Sequence, residues 1–157
     1  MPNFTIDQTD LRILQALQAD AGLSNVALAQ SVGLSPSPCL RRVRALEASG
    51  VIRGRAAIID AAAVGLPVSV FLQVTLERQT EANLEAFEAA VTNAPEVMEC
   101  YLMTGDADYL LRVVAPDLDA FHRFLMDRLT NLPGVANIKS SFALKQVKYG
   151  YSLPIDV

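Results

Sequence analysis

The 157-residue chain has little of what enzymes and secreted scaffolds depend on: one histidine, His122, and two cysteines, Cys39 and Cys100. His122 stands among acidic and basic neighbours, with no nucleophile or carboxylate at a diagnostic spacing, and reads as a surface residue of a helix. Cys39 and Cys100 fit no metal-ligand spacing and are expected as reduced, buried thiols of a reducing compartment. There is no phosphate-binding glycine loop, and Asp106 and Asp108 lack the His or Cys partners of a catalytic metal. Neither catalysis, nor a metal, nor a cofactor is therefore expected. No apolar run reaches the roughly 20 residues of a membrane span. The opening Met-Pro-Asn-Phe-Thr-Ile-Asp has neither the basic nor the apolar region of a signal peptide, so a cytoplasmic location is expected. Hydrophobic residues make up 52% and charged residues 19%, a globular composition with net charge −4.

Against that acidic background one stretch is basic. From Ser35 to Arg55 the chain carries Arg41, Arg42, Arg44, Arg53 and Arg55 against Glu47 alone, five of its 13 basic residues. Such a concentration favours a polyanionic partner. The local pattern agrees. Ser24 has the hydroxyl of a helix N-cap, and Val26, Ala29 and Val32 recur at helical spacing, so a helix is predicted over 25–32, closed by Gly33. Ser35 is placed to cap a second helix. Pro36 takes its first position and Pro38 stays in its first turn, where a missing N–H breaks no intrahelical bond. Leu40, Val43 and Leu46 form the apolar stripe of that helix and leave Arg41, Arg42 and Arg44 on its other faces.

A preceding helix from Asp7 to Ala19, with Leu11, Leu14 and Leu17 inward, completes a three-helix core. Two short helices joined by a glycine turn, the second with basic and small polar residues near its start, describe a helix-turn-helix. Its recognition helix would read the major groove through Ser37, Pro38, Arg41 and Arg42, with Ser35 and Arg44 beside them. After Gly50, Val51 to Ile59 is expected as a strand pair, a wing bringing Arg53 and Arg55 to a phosphate backbone. Cys39, in the first turn of the recognition helix, stands where a thiol pKa can be lowered, which offers a redox response as the alternative to inert burial.

The remainder is built differently. Residues 61–67 are small and weakly periodic and form the expected linker after a 1–60 DNA-binding domain. Val68 to Glu77 alternates with period two, with Phe71 the one apolar exception, and predicts a half-buried strand. A helix from Glu81 to Thr92 follows, then strands from Val97 to Met103 and from Tyr109 to Ala115 across the turn Gly105-Asp106-Ala107-Asp108. A second helix from Asp117 to Thr130, with Leu118, Phe121, Leu125 and Leu129 inward, precedes a last strand from Val135 to Tyr149. Both helices end in a proline turn followed by valine, Pro95-Glu96-Val97 and Pro133-Gly134-Val135. The order is that of a ferredoxin-like βαββαβ sandwich over 68–150, with 151–157 as a tail and the whole chain in the α+β class. Helices cover one sheet face only, and the apolar residues left on the other argue for self-association.

Several blocks stand together in order: Gly33-Leu34-Ser35-Pro36-Ser37-Pro38-Cys39-Leu40-Arg41-Arg42-Val43, Leu46-Glu47 with Gly50-Val51-Ile52, and Pro95-Glu96-Val97 through Cys100-Tyr101. They continue with Thr104-Gly105-Asp106-Ala107-Asp108-Tyr109-Leu110-Leu111-Arg112-Val113, Leu132-Pro133-Gly134-Val135 and Ser140-Ser141-Phe142. In this set the chain resembles the Lrp/AsnC (feast/famine) family of prokaryotic transcriptional regulators from about Ile6 to Val147. The resemblance implies a sequence-specific regulator that binds double-stranded DNA and is associated with the nucleoid; a dimer with two recognition helices about one turn of DNA apart is expected to select an imperfect palindrome. It further implies a homodimer paired through its sheets and assembling to octamers, and a non-covalently bound effector, commonly an amino acid, held between dimers. The effector site carries over onto Thr104, Gly105, Asp106 and Asp108, with Tyr101, Met103, Ser140 and Ser141 as walls. Such residues suit an amino acid: a carboxylate meets its ammonium group, and N–H and hydroxyl donors meet its carboxylate. Gly-Asp at a hairpin is also ordinary turn chemistry. Many relatives have an aromatic residue in place of Arg55 and a Thr-Thr pair in place of Gly150-Tyr151-Ser152. A sensor that binds protein instead of DNA through its N-terminal domain is the alternative.

Overall fold

In a computed structural model, which describes residues 5–156, the chain forms two compact units. One runs to Ala57 and takes up the chain again from Val147; the other is Ile58–Gln146.

The first unit contains α1 (Gln8–Ala19), α2 (Asn25–Val32) and α3 (Pro36–Ala48). A reciprocal capping box opens α1: Asp7 accepts from the Asp10 N–H, and Asp10 accepts from the Asp7 N–H. Gly33 ends α2 at φ 73°, and Leu34 N donates to Ala29 O at 2.8 Å across the turn. Pro36 and Pro38 fit α3 because its first backbone donor is Cys39, which bonds Ser35 O at 3.3 Å. The core is Ile13, Leu17, Leu28, Ala29, Val32, Cys39, Val43 and Leu46.

Three positions differ from the sequence pattern. Ile13 occupies the centre while Leu11 and Leu14 are half-buried; Leu28 replaces Val26, which is 62% exposed; Cys39 replaces Leu40, which lies at the rim. In each case two stripes one or two residues apart both run along the helix, and packing against the neighbouring helices selects one of them. The expected wing strands are not formed: the described residues 51–60 contain no strand. A two-stranded hairpin without a third strand is only marginally stable. Here Arg55 Nη2 instead meets Glu47 Oε1 on α3 at 3.2 Å.

The second unit is β1 (Val68–Leu76), α4 (Glu81–Thr92), β2 (Val97–Leu102), β3 (Tyr109–Ala115), α5 (Leu118–Phe124) and β4 (Val135–Phe142). The strands pair antiparallel in the order β2-β3-β1-β4, the ferredoxin-like arrangement. Val70, Leu72, Val74 and Leu76 of β1 and Tyr109, Leu111, Val113 and Ala115 of β3 face the helices, and Phe87, Val91, Phe121 and Phe124 close over them. Phe87 packs on Tyr109 with ring centroids 4.6 Å apart. The second helix is not one regular α-helix. Residues Leu125–Leu129 form a π-helical turn, with Thr130 N bonding Leu125 O at 2.9 Å. The wider turn brings Leu129 into the core alongside Phe124, while Leu118 is 61% exposed instead of inward.

The last strand also stops short, at Phe142 instead of Tyr149. By its contacts the chain beyond Gln146, including residues 147–150, groups with the first unit. Glutamine amides on α1 hold the last residues of the chain to the first unit. Gln15 Nε2 donates to Ile155 O at 2.6 Å, and Gln18 donates to Leu153 O at 3.2 Å and accepts from Leu153 N at 2.6 Å.

Candidate DNA-binding and effector sites

The start of α3 presents Ser35, Pro36 and Ser37 to solvent, and Ser35 uses its hydroxyl for no cap bond. Asn25 Nδ2 on α2 holds this end by donating to Pro36 O at 2.8 Å. Pro38 is half-buried against the unit. Arg41 and Arg44 are exposed, as is Arg53 beyond the helix, and none of the three makes an ion pair among the described residues. The other two arginines of the basic stretch are engaged. Arg55 pairs with Glu47, and Arg42 turns to α1, donating from Nη1 to Asp7 at 2.7 Å and Asp10 at 2.8 Å. A hydrogen bond from the Asp10 N–H and the Arg42 guanidinium hold the Asp7 carboxyl below its usual value. Asp10 is absent from the sequence-level candidates, although its place at the third helical position after Asp7 was the available signal. Cys39 is fully buried, and burial pushes its thiol up, the reverse of what a reactive helix-start cysteine needs. Cys100 is exposed on edge strand β2, and desolvation with the nearby Glu88 pushes its thiol up to about 11.

In the second unit the turn after β2 exposes Met103, Thr104, Gly105 and Asp106. Gly105 has φ 116°, a backbone angle that side-chain-bearing residues rarely adopt. Met103 N donates to Asp108 O at 2.8 Å and closes the hairpin. Asp108 itself is 6% exposed and committed inward: Oδ2 accepts from Leu76 N at 2.6 Å, and Oδ1 accepts from Gln79 Nε2. Its carboxylate thus ties the β2–β3 turn to the end of β1, and Asp106 is the acid left facing solvent.

The expected walls are not gathered in one chain. Register pairs Ser141 with Phe71 and Ser140 with Leu72, so Ser141 lies on the open sheet face and Ser140 on the helix-covered one. Tyr101, opposite Leu110, is on the open face too, but on edge strand β2, whereas both serines are on the other edge strand, β4. Three strand spacings, about 14 Å, separate the two edges. A row Ser141, Phe71, Arg112, Glu99 crosses all four strands of the open face. In it Arg112 Nε donates to Glu99 Oε1 at 2.7 Å, and Glu99 Oε2 accepts from the Tyr101 hydroxyl at 3.0 Å. Glu99 and Arg112 have no distinguishing signal in the sequence beyond alternation. A cavity of about 450 Å³ lies between the end of α4 and the π-helical turn, lined in part by Val91, Asn93, Phe124 and Arg128, and no residue of the 103–108 turn lines it.

Among the described residues no helix is long and apolar enough to cross a membrane. Residues 6–53 match the winged helix-turn-helix DNA-binding family, and residues 69–153 match the Lrp/AsnC ligand binding domain family. The chain is 51% identical over 150 residues to the Bkd operon transcriptional regulator of Pseudomonas aeruginosa, covering 96% of this chain and 98% of that protein. It is 40% identical over 154 residues to the leucine-responsive regulatory protein of Escherichia coli, covering 98% and 94%. A crystal structure of a transcriptional regulator from Neisseria meningitidis in complex with L-Met superposes with TM-score 0.89 at 43% identity, over 97% of this chain and 98% of that one. With both of its halves matched in order, the chain belongs to the Lrp/AsnC family of transcriptional regulators, an N-terminal helix-turn-helix DNA-binding domain followed by a C-terminal ligand-binding domain.

Proposed function

We propose that this regulator senses a free amino acid and changes its grip on double-stranded DNA in response. The observation that carries the DNA half is the recognition helix: Arg41 and Arg44 stand exposed and unpaired with any described acid, beside the uncommitted Ser35 hydroxyl. These residues, with Ser37, Pro38 and the trailing Arg53, are the proposed contacts, acting on DNA at the nucleoid in the cytoplasm. Two copies paired through the open sheet face present two such helices about one turn of DNA apart, roughly 34 Å, and so select an imperfect palindrome. Phe71 and Tyr101, 38% and 53% exposed on that face, are the apolar groups such pairing covers.

An amino-acid effector is supported by the L-Met complex of the Neisseria relative. Its proposed seat is the Thr104-Gly105-Asp106 turn with Met103 and Tyr101. Because Ser140 and Ser141 lie on the opposite edge strand, a second copy must complete the site, which links occupancy to assembly of dimers into octamers. An effector acts on DNA affinity only through its differential affinity for two assembly states, typically by about 5- to 150-fold.

Fluorescence anisotropy with DNA from upstream of the protein's own gene, at two salt concentrations and with or without the twenty amino acids, tests both halves. Binding should weaken steeply with salt, and Arg41→Ala and Arg44→Ala should each reduce the salt slope by about one unit. One amino acid should shift the curve. A flat salt response would refute the DNA contacts, and an amino acid that binds without moving either assembly or DNA affinity would refute the coupling.

A further inference from the structure

Arg42 lies on the recognition helix, yet its guanidinium faces another helix of the same unit. Nη1 donates to Asp7 Oδ2 at 2.7 Å and to Asp10 Oδ1 at 2.8 Å. The remaining oxygens of both carboxylates serve the cap of α1: Asp7 Oδ1 accepts from Asp10 N at 2.8 Å, and Asp10 Oδ2 accepts from Asp7 N at 3.2 Å. All four carboxylate oxygens are thus occupied, two by backbone and two by Arg42. Asp10 is only 5% exposed. A carboxylate so placed is costly unless it is paired and hydrogen-bonded, and the pairing cation among the described residues is Arg42. Arg41 and Arg44, its neighbours on α3, point to solvent.

Side chains therefore fasten α3 at two levels. Asn25 holds its first turn to α2 through Pro36 O, and Arg42 holds its middle to the capped start of α1. We infer that Arg42 is a positioning residue of the DNA-binding unit: it ties the recognition helix to Asp7 and Asp10 and so sets how Ser35, Ser37 and Arg41 meet a duplex, without itself contacting DNA. This role rests on recognition through α3, as proposed above.

The sign of one substitution separates the two possible roles. If Arg42 were a DNA contact held back by its acids, Asp10→Asn would free a guanidinium and remove a repelling charge, so affinity would rise and its salt dependence steepen. As a tether, Arg42 loses its buried anchor in Asp10→Asn. Affinity then falls, by about tenfold, although the protein has become less negative, and the salt slope is unchanged. Arg42→Met should fall by a similar factor with the slope again unchanged, and the double variant should be little worse than either single one.

The measurement is anisotropy titration of the full-length chain against its own upstream DNA across a salt series, at a temperature where circular dichroism shows each variant folded. Should Arg42→Met not fold, Asp10→Asn and Asp7→Asn carry the test through the sign of their effect. A gain in affinity in Asp10→Asn, a slope lowered by about one unit in Arg42→Met, or unchanged affinity in both would overturn the positioning role. Salt-insensitive binding by the unsubstituted protein, or slopes unmoved by Arg41→Ala and Arg44→Ala, would overturn recognition through α3, and this role with it.

Discussion

Two acids share the Gly105 turn, and Asp108→Ala should separate fold from recognition. Its carboxylate is 6% exposed and accepts from the Leu76 N–H at 2.6 Å and from the Gln79 amide. Truncation leaves the Leu76 N–H inside without an acceptor, a penalty of about 1–3 kcal/mol, and removes a second charge-assisted bond. Relief of the buried charge and rehydration of the exposed Gln79 offset part of that loss, so a net destabilisation of about 2–3 kcal/mol follows. In a domain of this size that lowers the melting temperature by roughly 8–24 °C. Asp108→Asn keeps an acceptor for Leu76 and should cost about 1 kcal/mol. Asp106→Ala, at an exposed position, should stay within about 0.5 kcal/mol of the parent while weakening amino-acid binding about tenfold or more. Differential scanning calorimetry of the full chain reads the first three effects, and isothermal titration with the amino acid found by anisotropy reads the last. A melting temperature for Asp108→Ala within about 3 °C of the parent would refute the tie between the turn and β1.

Gly33→Ala should destabilise the first unit by about 1–2 kcal/mol, since its φ of 73° is strained for any residue with a Cβ although the space around it is open; chemical denaturation reads this. The Asp7 carboxyl is held below its ordinary value of 3.8, so its contribution to stability is present above that pH and is lost as pH falls through the lower folded-state value. Urea midpoints between about pH 5 and pH 2 should therefore converge for the parent and Asp7→Asn on the acid side, and a constant gap would contradict the linkage. A maleimide should leave Cys39 unlabelled in the folded chain and label it in urea, because it is fully buried with its thiol pushed up; native labelling would contradict that burial.

The elements were legible because their determinants are local. Ser24, Gly33 and the paired prolines mark the ends of α2 and the start of α3, and period-two alternation marks β1. Thr80 ahead of Glu81 caps α4, so its bounds from Glu81 to Thr92 coincide with the expected ones. Where two local stripes competed, as at Cys39 and Leu40, only the partner helices could select between them. The π-helical turn was hidden for the same reason: core packing around Leu129 decides it and leaves no periodic trace.

By itself the sequence determined the two-part architecture, the helix-turn-helix and the βαββαβ order, since caps, turns and hydrophobic period depend on neighbours a few residues away. Tertiary structure alone decided what the charged groups do. Arg42 meets Asp10 across 32 positions, and Asp108 meets Leu76 across the same number. Strand order likewise put Tyr101 and Ser141 on opposite edges of one sheet. A charge declares its presence in a sequence, but whether it reaches outward to a ligand or inward to a partner depends on what long-range folding brings within about 3 Å.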